Sequence, residues 1–115
     1  MKHSPEIVEK AKVHIVVEII EYLPNAVVQK NILKKTTGNV TASSFAAGSE
    51  LEETISPHDC FVQIIEGEAE IFINKMPFVL RPGQGITITA HTTRRFKANT
   101  PFKMISTSIK PAYED

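Results

Sequence analysis

The sequence predicts an all-β fold, a sandwich or barrel of roughly eight to ten short strands in a single domain. Runs rich in β-branched residues alternate with polar turns over most of the 115 residues. The run 94–98 also has the two-residue period of a strand. Phe96 and Ala98 share one face, toward a core. Arg95 and Lys97 share the other face, toward water.

The first 26 residues are predicted to form an arm in front of the barrel. Ser4 is followed by proline and glutamate, a combination typical of a helix start, so we expect a short N-terminal helix that ends near Lys10. The β-branched run over residues 13–17 predicts a strand. Pro24 favours a turn and marks the end of the arm.

Residues 27–115 are predicted to form the barrel itself. Polar turns at residues 35–38, 74–77 and 81–83 separate its strand-forming runs. The predicted strands cover residues 27–34, 39–45, 60–66, 68–74, 78–80, 86–89, 94–98 and 102–109.

The composition gives no indication of a nucleic-acid or membrane partner. Thirteen basic and thirteen acidic residues cancel, so no net charge attracts an anionic polymer or lipid surface. The single cysteine, Cys60, cannot form an internal disulfide and fits a reducing compartment. No apolar run approaches the roughly 18 residues of a membrane span, and the polar N-terminus lacks the apolar core of a signal peptide. We therefore expect a cytoplasmic protein.

The most informative stretch of the chain is Gly48-x5-Thr54-x-Ser56-x3-Cys60-x6-Gly67. It resembles the first motif of the cupin superfamily, G-x5-H-x-H-x3-E-x6-G. Both end glycines are present. In metal-binding cupins two histidines and a glutamate occupy the positions of Thr54, Ser56 and Cys60.

The second cupin motif has a counterpart in Gly83-x5-Thr89-x-His91-x2-Arg94-x3-Ala98. Here Arg94 stands where the family has its last histidine ligand. The sequence is similar to small single-domain bacterial cupins. This resemblance implies a small double-stranded β-helix, or jelly-roll barrel. The cupin fold hosts many unrelated functions, so it does not select one.

The substitutions weaken the metal site that the resemblance implies. Cupin metal sites use imidazole and carboxylate ligands. Thr54 and Ser56 offer neutral hydroxyls, and a single thiolate at Cys60 does not make a site. The guanidinium of Arg94 has no lone pair to donate and repels a cation. We therefore expect no metal, no other cofactor and no catalytic residue, which disfavours an enzyme.

Two alternatives remain open. A displaced metal site formed by His58, Cys60 and His91 would support a metal-dependent enzyme of the dioxygenase or isomerase type. Both histidines fall in predicted turns, where histidine side chains are more often solvated. The other alternative is an interaction protein whose barrel pocket is vestigial.

Arg94 is the most consequential residue of the predicted site. The alternation around it places its side chain on the inward face with Phe96. A buried guanidinium keeps its charge, so it needs Glu52 or Glu53, water, or a bound anion as a partner. We predict a metal-free barrel that binds a small, anionic molecule. The predicted ligand-binding residues are Thr54, Ser56, Cys60, Val62, Ile64, Arg94 and Phe96.

The sequence also predicts a homodimer. The apolar run at residues 13–17 would form an exposed strand edge, which invites pairing unless it is covered. Two-fold symmetry is the commonest arrangement for a soluble oligomer.

Overall fold

The computed structural model describes residues 8–111, which form two antiparallel sheets packed face to face. The first sheet has the strand order β1-β2-β9-β4-β7 and the second has the order β3-β8-β5-β6. The all-β barrel prediction is confirmed. The strands are β1 (Val27–Lys35), β2 (Gly38–Phe45), β3 (Glu50–Ile55), β4 (Asp59–Gly67), β5 (Ala69–Ile73), β6 (Met76–Leu80), β7 (Gly85–Ile88), β8 (Thr93–Lys97) and β9 (Phe102–Ile109).

The N-terminal arm differs from its prediction. Residues 8–10 of the predicted helix are not helical, and its start at Ser4 lies outside the described residues. The strand predicted over residues 13–17 is wrong, because that segment is irregular and leads into a single 3-10 turn, Val16–Glu18. A strand needs a hydrogen-bonded neighbour. The backbone bond that ties the arm to β1 forms earlier, from Val8 N to Asn31 O at 3.0 Å.

Strand β3 is absent from the sequence prediction. Its acid-rich sequence has a low intrinsic strand propensity. It forms because it pairs with β8, with Leu51 opposite Phe96 and Thr54 opposite Arg94. Tertiary pairing therefore overrides the local preference and supplies an edge to the second sheet.

The apolar core fills one end of the space between the sheets. Phe45 and Phe102 are completely buried there, and their rings stack with centroids 4.3 Å apart. Side chains alternate along strand β4, with Val62 and Ile64 buried in this core and Phe61 exposed. This end of the barrel is closed by side-chain packing.

The arm crosses the outer face of the first sheet. Ile20 packs there against Ala42 and Ile105 in a second buried cluster. The buried Lys103 side chain donates from Nζ to the carbonyl of Val17 at 2.7 Å. Within residues 8–111, no helix has the length and apolar character needed to cross a membrane.

The two end glycines of the first motif have left-handed backbone angles for different reasons. Gly67 has φ +76°, and a β-carbon there would collide with the carbonyl oxygen of Pro101 and the Cα of Phe102. Gly48 has φ +85°, but a β-carbon there would meet no atom within 4 Å. Only Gly67 is therefore required for both conformation and space.

We expect Gly67→Ala to lower the free energy of unfolding by about 3 kcal/mol or more, because left-handed strain and overpacking add. Gly48→Ala is the matched control, since it introduces the same strain without a collision and should cost about 1–2 kcal/mol. Urea unfolding followed by circular dichroism measures both changes. Equal losses would contradict the close approach at Gly67.

Candidate functional site

The inner face of the first sheet changes from apolar to polar along the barrel. Residues paired across antiparallel strands share a face, so each row of partners lines the same level of the interior. At the closed end, Phe45 is paired with Phe102. At the other end, Asn39 is paired with Ser108, which in turn is paired with Cys60. We refer to this second level as the open end of the barrel.

The open end contains a cavity of about 450 Å³. Lys30 is the single charged lining residue, but its side chain belongs to the outer face because its partner on β2 is Ala42 of the outer cluster. The side chains that face the cavity are therefore neutral amides and hydroxyls. The lining residues are Gln29, Lys30, Asn31, Asn39, Thr41, Ser106 and Ser108.

Ser43 lies one inward position below Thr41 on β2, and it is completely buried. Its Oγ has no hydrogen-bond partner within residues 8–111. It is paired with Gln29 of the cavity lining. A buried hydroxyl without a partner costs about 1–3 kcal/mol, so this oxygen favours water or a ligand group at the cavity floor.

Arg94 is buried on β8, as the alternation predicts, with 7% of its surface exposed. Its Nε donates to the carbonyl of Thr92 at 2.9 Å, and its Nη2 donates to the carbonyl of Thr89 at 3.3 Å. These two bonds fix the guanidinium beneath the loop between β7 and β8. They use neutral acceptors and leave its charge uncompensated.

The carboxylates considered as partners for Arg94 lie elsewhere. Glu53 pairs with Lys75 at 3.1 Å. Within residues 8–111, no ion pair joins Arg94 to Glu52 or to any other acidic residue. The charge of Arg94 therefore has no carboxylate counter-ion in the described part of the chain.

The terminal nitrogen Nη1 of Arg94 is the free position of the guanidinium. It makes no hydrogen bond to the described residues. Among those residues, Ser43 Oγ is the single completely buried side-chain polar atom without a partner. Nη1 also lacks a partner but is not completely buried, so it keeps some contact with solvent.

Cys60 lies beside Arg94 and cannot neutralise it. Burial raises the pKa of the Cys60 thiol above its ordinary value, and the hydrogen bond with Ser108 and the positive charge of Arg94 lower it by less. The thiol therefore stays neutral at physiological pH. The Cys60 thiol interacts both with Ser108 of the cavity and with the guanidinium of Arg94.

The other predicted polar residues, Thr54 and Ser56, lie near the same end of the barrel. Thr54 is opposite Arg94 in the β3–β8 pair and is exposed. Ser56 Oγ accepts a hydrogen bond from His58 N at 3.1 Å, and its carbonyl accepts one from His91 N at 2.7 Å. Ser56 therefore organises the loops at the barrel mouth.

The predicted apolar wall belongs to the packed core. Val62 and Ile64 are completely or almost completely buried, and Phe96 is 8% exposed. All three lie in the cluster that closes the other end of the barrel. These three side chains pack in the core next to the site, and neutral polar residues line the cavity itself.

Comparison with known proteins agrees with this architecture. The sequence matches no protein-family model and no curated protein. The structure is similar to a conserved protein of unknown function from Streptococcus pyogenes, with a TM-score of 0.86 and 25% identity over 92% of this chain and 93% of that one. It is also similar to a cupin 2 conserved barrel domain protein from Leptotrichia buccalis, with a TM-score of 0.79 and 26% identity over 82% of this chain and 46% of that one.

A third similar structure is a cupin superfamily protein from Desulfitobacterium hafniense DCB-2. Its TM-score is 0.82 at 20% identity, and the match covers 96% of this chain and all of that one. The chain belongs to the cupin superfamily. Similarity at these identities establishes the fold of this cupin and leaves its function to be argued from its own residues.

The structure does not assemble the displaced metal site in this cupin. Within residues 8–111, no three His, Cys, Asp or Glu side chains form a group that could hold a metal ion. His58, Cys60 and His91 are therefore not brought together as ligands. His91 instead occupies a left-handed turn with φ +62°.

Sequence reasoning misses most of the polar cavity of this cupin. The available signal is the alternation in β2, where Asn39, Thr41 and Ser43 occupy every second position, together with the serines at the end of β9. Such a pattern is usually attributed to a solvent-facing surface. The missed residues are Gln29, Asn31, Asn39, Thr41, Ser106 and Ser108.

We expect the Cys60 thiol to ionise at a higher pH than an exposed cysteine, because burial disfavours the thiolate. Arg94→Met should raise that pKa further, since it removes a positive charge that stabilises the thiolate. Arg95→Met is the control and should leave the pKa unchanged, because Arg95 pairs with Glu50 on the outer face. Thiolate absorbance against pH, with Cys60→Ser as the blank, measures the pKa. An unchanged midpoint in Arg94→Met would contradict the placement of the guanidinium.

Proposed function

We propose that this cupin binds a small anionic molecule at the open end of its barrel, with Arg94 as the cation that holds it. The observation that carries the proposal is the buried guanidinium, which has a free Nη1 and no carboxylate counter-ion among residues 8–111. Arginine cannot release its charge at physiological pH, and burying an uncompensated charge costs several kcal/mol. A bound anion removes that cost.

The backbone contacts of Arg94 favour selective binding of an anion. The carbonyls of Thr92 and Thr89 hold the guanidinium in place before any ligand arrives. A preorganised side chain loses little freedom on binding. Hydrogen bonds to a charged group contribute about 1.5–3 kcal/mol each, which is enough to dominate the affinity of a small acid.

A metal-dependent enzyme is less well supported. The four positions that hold a metal in other cupins carry Thr54, Ser56, Cys60 and Arg94 in this chain. A fixed positive charge among neutral groups disfavours a cation and favours an anion. We therefore propose a binding protein that works without a metal or other cofactor. We also propose a cytoplasmic location, in keeping with the free thiol of Cys60.

We expect Arg94→Met to weaken binding of a small acid by roughly 10- to 100-fold, because one or more charge-assisted hydrogen bonds are lost. Arg95→Met is the matched control, since this neighbouring arginine lies on the outer face against Phe72 and Glu50. Thermal shift with a panel of small carboxylates and phosphates identifies the acids that bind. Titration calorimetry then compares the two variants.

Two outcomes would contradict the anion site. If no acid in the panel raised the melting temperature, the interaction protein with a vestigial pocket would become the better interpretation. If Arg94→Met and Arg95→Met weakened binding equally, the acid would be held elsewhere on the surface.

We further propose that the chain forms a homodimer through its arm. Val13 is 94% exposed and Ile15 is 64% exposed, and Val16 and Leu23 of the same arm are also exposed. Several exposed apolar side chains in one short segment favour an interface. A second copy related by two-fold symmetry would cover them.

We expect light scattering at micromolar concentration to give twice the 12.8 kDa mass of one chain. The double variant Val13→Lys, Ile15→Lys should dissociate the dimer, because charged side chains cannot be buried unpaired. Val79→Lys is the control, since Val79 is also exposed but lies on β6. A monomeric native protein, or equal dissociation by both variants, would refute the arm interface.

A further inference from the structure

The open-end cavity has an unusual lining for a small-molecule site. Such sites are mostly apolar, with a few polar groups that orient the ligand. Here the side chains that face the cavity are amides and hydroxyls, each of which can both donate and accept hydrogen bonds. The lining is therefore suited to a ligand that carries many donors and acceptors. These side chains are Gln29, Asn31, Asn39, Thr41, Ser106 and Ser108.

We propose that the ligand is a polyhydroxylated acid whose hydroxyl-bearing chain occupies this cavity while its acidic group lies at Arg94. This inference rests on the proposed anion site and adds the chemistry of the rest of the ligand. A hydroxylated chain matches the mixed donors and acceptors of the lining. An alkyl chain would bury the donors and acceptors of the lining without hydrogen-bond partners.

Most of the lining groups have unused hydrogen-bonding capacity. Thr41 Oγ1 donates to Asn31 Oδ1 at 3.3 Å, which leaves the amide nitrogen of Asn31 without a side-chain partner in the described chain. Within residues 8–111, the side chains of Gln29, Asn39 and Ser106, which also line the cavity, make no hydrogen bond to another protein group. A ligand with several hydroxyls would engage these groups at once.

Ser43 gives independent support for a polar occupant. Its Oγ is completely buried, lacks a partner among residues 8–111, and lies on the inward face between the cavity and the aromatic core. Its pairing with Gln29 places it at the floor of the cavity. An apolar ligand would leave this hydroxyl unsatisfied, whereas a ligand hydroxyl would bond to it.

The cavity and the cation are neighbours in the interior. Ser108 lines the cavity and is paired across the sheet with Cys60, and the Cys60 thiol also experiences the charge of Arg94. A ligand can therefore place its acidic group at Arg94 and extend past Ser108 toward β2 and β1. The cavity of about 450 Å³ has room for a six-carbon polyhydroxy acid.

Titration calorimetry with matched acids tests the inference. Gluconate and galactonate are compared with hexanoate, which has the same number of carbons and the same carboxylate but no hydroxyls. We expect at least one aldonate to bind at least about 100-fold more tightly than hexanoate, because a site that bonds hydroxyls rejects a ligand without them.

A pair of threonine variants locates the hydroxyl contacts. Thr41→Val removes a hydroxyl that faces the cavity and should weaken aldonate binding roughly 10-fold, with no loss for hexanoate. Thr107→Val is the same change on the outer face of β9, where Thr107 is paired with Val40 and Phe61, and it should alter neither affinity.

The outcomes separate this inference from the anion site. If aldonates and hexanoate bound equally and both needed Arg94, the anion site would stand and the polyhydroxylated ligand would be refuted. If Thr41→Val and Thr107→Val had the same effect, the cavity would not be where the hydroxyls bind. If no aldonate and no other acid bound, both proposals would fail together.

Discussion

The burial of Ile20 against Ala42 and Ile105 is the contact on which the polar interior of the barrel depends. Side chains alternate along a strand, so a residue that faces outward forces its neighbours to face inward. By covering the outer apolar positions of β2 and β9, the arm directs Thr41 and Ser106 into the barrel. Without that cover, the outer apolar side chains of the first sheet would be exposed to water. Turning the hydroxyls inward would then bring no gain in stability.

The strands on either side of the motifs could be predicted from the sequence. Turn residues fix the limits of β4, β5 and β9, and the positions of Arg95 and Lys97 on the solvent side require Arg94 to face inward. The motif spacing adds long-range information, because it aligns Cys60 and Arg94 from different sheets at one level of the barrel. Local periodicity alone would not bring those two residues together.

The arm and the cavity could not be predicted, for a common physical reason. A regular strand is recognised in a sequence by its alternation of side chains. Residues 13–17 are not a strand and form no hydrogen-bonded ladder. In β2, polar and apolar residues alternate, and the pattern does not say which face is inside. That choice depends on tertiary contacts on both faces of β2, where Phe45 packs in the inner core and Ala42 packs against Ile20 outside. Val62, Ile64 and Phe96, which the sequence places on the inward face, belong to the buried core cluster.

The bond from Lys103 to the carbonyl of Val17 joins residues 86 positions apart. The arm is synthesised before the strands on which it docks, yet its docking surface is completed only when β9 inserts between β2 and β4. Contacts of such long sequence separation slow folding, because chain entropy is lost before the contact forms. We therefore expect the arm to dock late in folding, in the same step in which β9 completes the first sheet and the lining of the open-end cavity.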